Sequence, residues 1–164
     1  FIRGTFDAEM ADAVVAQLLF LESVDNAAEI FMYINSPGGE VTAMYAIYDV
    51  MKYIKPDVVT VGFGVCASAG SFILSAGTKG KRHALPNCEI MLHELSGGSG
   101  GKFNDIKVGY EHTVKLYERM IKHYSDFTGQ EIQKIKKDLE RDFYMSAEEA
   151  KDYGLIDAVH TNRS

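Results

Sequence analysis

The chain is poor in positive charge: 17 Lys and Arg against 23 Asp and Glu leave its 164 residues with a net charge of −6. That balance provides no basic footprint for nucleic acid or for an anionic membrane surface. Cysteine is scarce too. Cys66 and Cys88 are too few for a disulfide scaffold and lack zinc-site spacing, so a reducing compartment is the default and no metal centre is expected. No G-x-G-x-x-G occurs, and no lysine follows Gly38-Gly39 in P-loop spacing, which removes the common phosphate-cradling loops. No signal peptide is visible, and the chain opens at Phe1 rather than at a methionine, so it reads as trimmed, with any targeting segment outside it. No internal repeat or second domain is apparent, and the length suits one domain with a real core.

Charge is also absent locally, from Val58 to Thr78. The stretch is no membrane span: Gly62, Gly64, Gly70, Gly77 and several hydroxyls divide it into a β-rich half and a helical half. With 46% hydrophobic and 24% charged residues, the composition is that of an ordinary globular protein.

Apolar spacing predicts a helix over 7–24 with Asp7 as N-cap, a buried strand through Ile30–Ile34 ended by NSPGG, and a helix over 40–54. A second strand is expected at 57–63, a helix from near Ser68, and a third strand at 89–93. This alternation implies a mostly parallel α/β sheet with right-handed crossovers. A long amphipathic helix follows at about 103–127 and a shorter one at 131–139. Ser146-Ala147-Glu148-Glu149 caps a last helix that Gly154 ends, and LIDAVH forms a final strand. Little chain remains to cover the long helix, which marks it as a docking element for another subunit.

The stretch GVCASAGS at 64–71 reads equally as a strand-to-helix turn that builds a nucleophile or anion site and as small residues that merely let a helix pack on a sheet. The hydrolase elbow G-x-S-x-G fails, because Cys66 stands where glycine is needed. Ser68 still falls at a helix start, where unpaired N–H groups favour a developing oxyanion, with Ala69 and Gly70 leaving room for a substrate backbone. Cys66 reads as a buried inert thiol and Ser71 as a residue packed inside the helix. Of the five histidines, His112 and His123 fall on the long helix and His160 at the close of a strand. His93 ends a buried strand just before the glycine-rich ELSGGSGGK, at the sheet's carboxyl edge beside Ser68. Asp105, Asp126, Asp142 and Asp157 remain open as the carboxylate that would orient it, Asp142 slightly favoured by its place before FYMS at an element boundary. A backbone N–H of Gly38-Gly39 could serve as an oxyanion donor, or the pair could be a plain strand-to-helix turn.

YINSPGGEVTAMYAIYDVMKYIKPDV, GVCASAG, GTKGKRHALPN with MLHE, and ERDFYMSAEEAKDYGLID together resemble the proteolytic subunit of the caseinolytic (ClpP) serine peptidase family, across most of the chain and in family order. The resemblance implies Ser68 as nucleophile, His93 as general base, Asp142 as orienting carboxylate, and the N–H groups of Gly39 and Ala69 as oxyanion hole. It implies a crotonase-like α/β spiral of β-α units within a single domain over 1–164, with a protruding strand-helix handle at about 94–128. An N-terminal axial segment would precede the first residue. Seven subunits would form a ring, and two rings would stack into a chamber through the handles. Glu140 and Arg141 match positions that tie the rings together, and Ser96, Gly97 and Gly98 lie where a strand pairs with an extended substrate. An AAA+ unfoldase would use ATP to feed in unfolded chains; this chain would bind no cofactor and no metal. The location implied is the cytoplasm, or an organelle matrix or stroma in a eukaryote. Departures from the pattern are His93-Glu94-Leu95-Ser96-Gly97-Gly98, where members commonly read H-Q-P-L-G-G, and His83 and His160, where many have apolar residues lining the pocket for unfoldase loops.

Two other readings compete with an active peptidase. A catalytically silent ring subunit would lack a triad residue, and an acyl-CoA-handling crotonase enzyme would not rely on a Ser–His pair. The chain keeps Ser68, His93 and Asp142.

Overall fold

A computed structural model describes residues 1–162; the last two positions of the expected 1–164 domain, Arg163 and Ser164, lie outside the described residues. The elements run β1 Ile2–Phe6, α1 Ala8–Val24, β2 Ile30–Gly39, α2 Val41–Tyr53, β3 Val58–Ala67, α3 Ala69–Ser75, β4 Arg82–Ala84 and β5 Glu89–Leu92. They continue with α4 Phe103–Thr128, α5 Ile132–Leu139, β6 Phe143–Met145, α6 Ala147–Tyr153 and β7 Ala158–Val159. The sheet is mostly parallel, ordered β1-β2-β3-β4-β7, while β5 pairs with β3 and, antiparallel, with β6.

The expected helices form for the expected reasons. Asp7 accepts the Met10 N–H at the start of α1, and Ser146 and Glu149 exchange hydrogen bonds in a capping box at the start of α6. Gly154 ends α6 in the left-handed conformation at φ 98°. No described helix is long and apolar enough to cross a membrane.

Alternate residues of the central strands face α3. Thr60 Oγ1 donates to Leu74 O at 2.7 Å, and Arg82 donates to Ser75 O at 3.3 Å. On the opposite face Phe31 is 55% exposed, and Tyr33, Val61 and His83 are half-buried. Phe72, Ile73 and Leu74 of α3 are fully buried, burial worth about 1.5–3 kcal/mol for each large apolar side chain.

Several local expectations are corrected. NSPGG does not end β2; it continues the strand to Gly39, pairing Thr5 with Gly38 and Phe6 with Gly39. Pro37 is tolerated because the register slips there, and a bulge has no ladder bond for proline to break. Ser36, fully buried, bridges the slip by donating to Gly4 O at 2.5 Å and accepting from Gly38 N–H at 3.1 Å. β3 likewise runs past residue 63 to Ala67, and the short strands β1, β4 and β6 join the sheet.

β3 is forked. Thr60, Val61 and Gly62 pair with β4, whereas Val65, Cys66 and Ala67 pair with β5. Between the two halves Gly64 takes φ 65°, and the β2–β3 register shifts between Ile34 and Ser36, so the sheet turns as it crosses this level. In the handle, α4 buries Met120, Ile121 and Tyr124 toward its C-terminal end, while Phe103, Val108 and Tyr110 are exposed. Residues 93–102 form no ladder within the chain, so the handle here is a helix with an irregular lead-in.

Candidate active site

Ser68 is the only residue between β3 and α3. A reversal from strand to helix in one step requires unusual backbone angles, and Ser68 has φ 55° and ψ −119°, the one positive φ outside glycine among the described residues. Its surroundings hold that conformation. Ser68 N–H donates to Met91 O at 2.9 Å, extending the β3–β5 ladder, and Ser68 O accepts from Phe72 N–H at 3.0 Å. Ser71 Oγ lies 2.7 Å from Ser68 O, 2.9 Å from Met91 O and 3.2 Å from the hydroxyl of the buried Tyr124. Backbone strain fixed by so many contacts is typical of functional turns.

The neighbouring strands end at the same edge. Ala67 pairs with Met91, and β5 closes one residue later at Leu92, so His93 emerges beside the Ser68 turn. β6 runs the other way, with Leu92 opposite Phe143. One further step of that register sets His93 opposite Asp142, on the same face of the pair. Ser68, His93 and Asp142 therefore stand just beyond the ends of the adjacent strands β3, β5 and β6. Glu94 N–H donates to Leu139 O at 3.0 Å, tethering the chain after His93 to the end of α5. A groove of about 700 Å³ opens there, lined by His93, Leu95, Ser96, Gly97, Glu140, Arg141 and Asp142 among others.

Among the described residues, the histidine side chains that make protein hydrogen bonds are His123, 3.3 Å from Tyr48, and the His83–His160 pair, 3.1 Å apart. His93 makes none, to Ser68 or to Asp142, although it lines one groove with Asp142. Of the four open carboxylates, Asp105 caps α4, Asp126 is exposed on that helix and Asp157 is paired with Arg82, while Asp142 lines the same groove as His93.

Gly38 packs directly against Ser68. Glu40 N–H donates to Phe6 O at 2.8 Å, and Phe6 is in register with Gly39. In a parallel ladder this turns the Gly39 N–H away from β1, toward the β3 side. Ala69 is the first residue of α3, where an N–H has no partner within its helix. Cys66 is fully buried, its Sγ 3.3 Å from Ile34 O and 3.9 Å from Cys88 Sγ. The Cys88 contact and then burial push its thiol well up, which keeps it protonated and unreactive. Among the described residues no group of three or more metal-ligating side chains gathers. Glu140 and Arg141 are exposed beside the groove, as are Ser96, Gly97 and Gly98.

A family model described as Clp protease matches residues 1–163. The chain belongs to the Clp protease family. It is thus a ClpP-type peptidase at the level of the family, and its mostly parallel α/β sheet with six helices among the described residues is that fold. Proteins of this family generally form oligomeric rings served by AAA+ partners. Sequence reading named Gly38 only for its backbone N–H and missed both its packing against Ser68 and the bridging role of Ser36. The signal was present in NSPGG, where a serine two residues before a glycine pair can bond backbone across a bulge.

Proposed function

We propose that this Clp protease chain is a serine endopeptidase in which Ser68 is the nucleophile, His93 the general base and Asp142 the carboxylate that orients the imidazole. The observation that carries this reading is the one-residue turn at Ser68, set beside strand ends that bring His93 and Asp142 to the same edge. Ser68 Oγ attacks a peptide carbonyl while His93 takes its proton, and His93 returns that proton to the departing amine. The acyl-enzyme is then hydrolysed by water. The N–H groups of Gly39 and Ala69 bind the oxyanion, each contributing about 3 kcal/mol to lowering the barrier.

Substrates are unfolded chains and short peptides, whose extended backbone adds as a strand to Ser96, Gly97 and Gly98. That segment has no ladder of its own and no side chains large enough to impose sequence choice. The exposed apolar face of α4 supports handle-to-handle stacking of two heptameric rings, with Glu140 and Arg141 at the contact. An AAA+ unfoldase spends the ATP, and the chain itself needs no cofactor. The location proposed is the cytoplasm, or a matrix or stroma in a eukaryote.

A second reading rests on the absence of a hydrogen bond at His93: a silent subunit in a mixed ring. Labelling with a serine-directed fluorophosphonate, mapped by mass spectrometry, separates the two. An adduct on Ser68 that disappears in His93→Ala supports the peptidase. Folded, ring-assembled protein that takes no label supports the silent subunit.

A further inference from the structure

β4 and β7 run side by side with His83 opposite Ala158 and Ala84 opposite Val159. His160 N–H donates to Ala84 O at 3.0 Å, so the ladder continues one residue past β7. Side chains two apart on a strand share a face, which puts His160 with Ala158 and therefore with His83. The rings meet there. His160 Nε2 and His83 Nδ1 are 3.1 Å apart, with ring centroids 4.5 Å apart and planes at 75°. Both residues are half-buried, on the sheet face away from α3.

One of the two facing nitrogens carries a proton and the other offers a lone pair. A proton is not the only occupant that fits between them. With metal–nitrogen bonds of about 2.0–2.1 Å, two nitrogens at this separation subtend an angle of about 100° at a shared ion, close to the tetrahedral value. Each ring needs only to turn its lone pair toward a common point beside the line joining them. The Arg82 guanidinium, next to His83 in sequence, faces inward instead, bonded to Asp157, Ser75 O and Phe127 O.

We propose that His83 and His160 chelate a late first-row divalent cation such as Zn²⁺, joining the sheet-edge strand β7 to β4. Imidazole nitrogen suits that class of ion, whereas magnesium and calcium prefer oxygen. β7 is two residues long and, among the described strands, pairs with β4 alone, so a bond between side chains on the two strands adds a link the ladder lacks. The remaining coordination positions face solvent and take water. The site is independent of the peptidase chemistry.

The test is calorimetric titration of the folded chain with Zn²⁺ and, separately, Ni²⁺ at neutral pH. One ion per chain is expected, with affinity reduced roughly tenfold or more in His83→Gln and in His160→Gln and unchanged in His112→Gln. Histidine ¹⁵N spectra of the unmodified chain should show Zn²⁺ moving the ring signals of His83 and His160, and amide protection at 158–160 should rise. Absence of saturable binding at millimolar ion would overturn the proposal. So would binding that survives replacement of both histidines, or ring signals of that pair that do not move.

Discussion

Gly38 and Ser68 touch with no room for one more carbon between them: a Cβ on Gly38 would fall 2.6 Å from Ser68 Cβ and 3.0 Å from Ser68 Oγ. Gly38 also holds φ 101°, a conformation that side-chain-bearing residues rarely adopt. Gly38→Ala is therefore expected to displace the Ser68 side chain and to cost about 1–3 kcal/mol in backbone strain. The rate of fluorophosphonate labelling, followed beside a thermal melt, checks both. Labelling at the unmodified rate would show that the contact does not govern Ser68.

Asp142→Asn keeps the shape of the side chain and removes its charge. If Asp142 orients His93, turnover of a short peptide should fall by roughly 10³–10⁴, with KM little changed. A loss confined to KM would instead assign Asp142 to substrate binding.

Arg82 is 3% exposed and grips Asp157 through two parallel bonds, Nε to Oδ2 at 2.9 Å and Nη2 to Oδ1 at 2.7 Å. Burial works against charge on Asp157, but hydrogen bonds from the Arg82 side chain and backbone and from Gly80 N–H prevail and hold its carboxyl below the usual range. Asp157→Asn leaves Arg82 buried without its partner and should cost about 3–5 kcal/mol in urea unfolding. A carboxyl depressed in the folded state stabilises fully above its unfolded value of about 4 and loses that contribution as pH falls through the folded value. The gap between the native chain and Asp157→Asn should therefore narrow on acidification below about pH 4. A pH-independent gap would place the stabilisation in packing instead.

Arg141 lies exposed beside the groove and one residue from Asp142. If ring contacts and the site are coupled, Arg141→Ala should weaken ring pairing and lower peptidase activity together, measured by sedimentation and peptide hydrolysis on the same samples. A fully active double ring would remove the coupling.

The helices were legible because each announces itself locally: Asp7 and Ser146 as caps, Gly154 as a stop, and long apolar periodicity in α2 and α4. β4 and β6, at three residues each, are too short to show a period, and β1 is interrupted by Gly4. NSPGG has turn composition yet stays in the sheet, because a bulge and the Ser36 hydroxyl absorb what proline cannot bond. Ser68 and His93 could be read from strand ends. Asp142 could not be separated from three other aspartates on pattern alone, since its placement depends on the register of β6, a strand the periodicity does not reveal. His83 and His160 stood out as departures from a pattern, but their contact depends on a pairing across 77 positions.

The β5–β6 ladder also orders events in time. Chains emerge from the ribosome N-terminus first, so β3 and β5, with Ser68 and His93, are available long before β6 and Asp142 are synthesised. The carboxylate that completes the proposed triad arrives after the serine and the histidine it would serve. A stalled or truncated chain would hold a serine and a histidine at one sheet edge with nothing to orient the imidazole. Translation order would then act as a delay, keeping an unfinished protease idle among the other nascent chains around it.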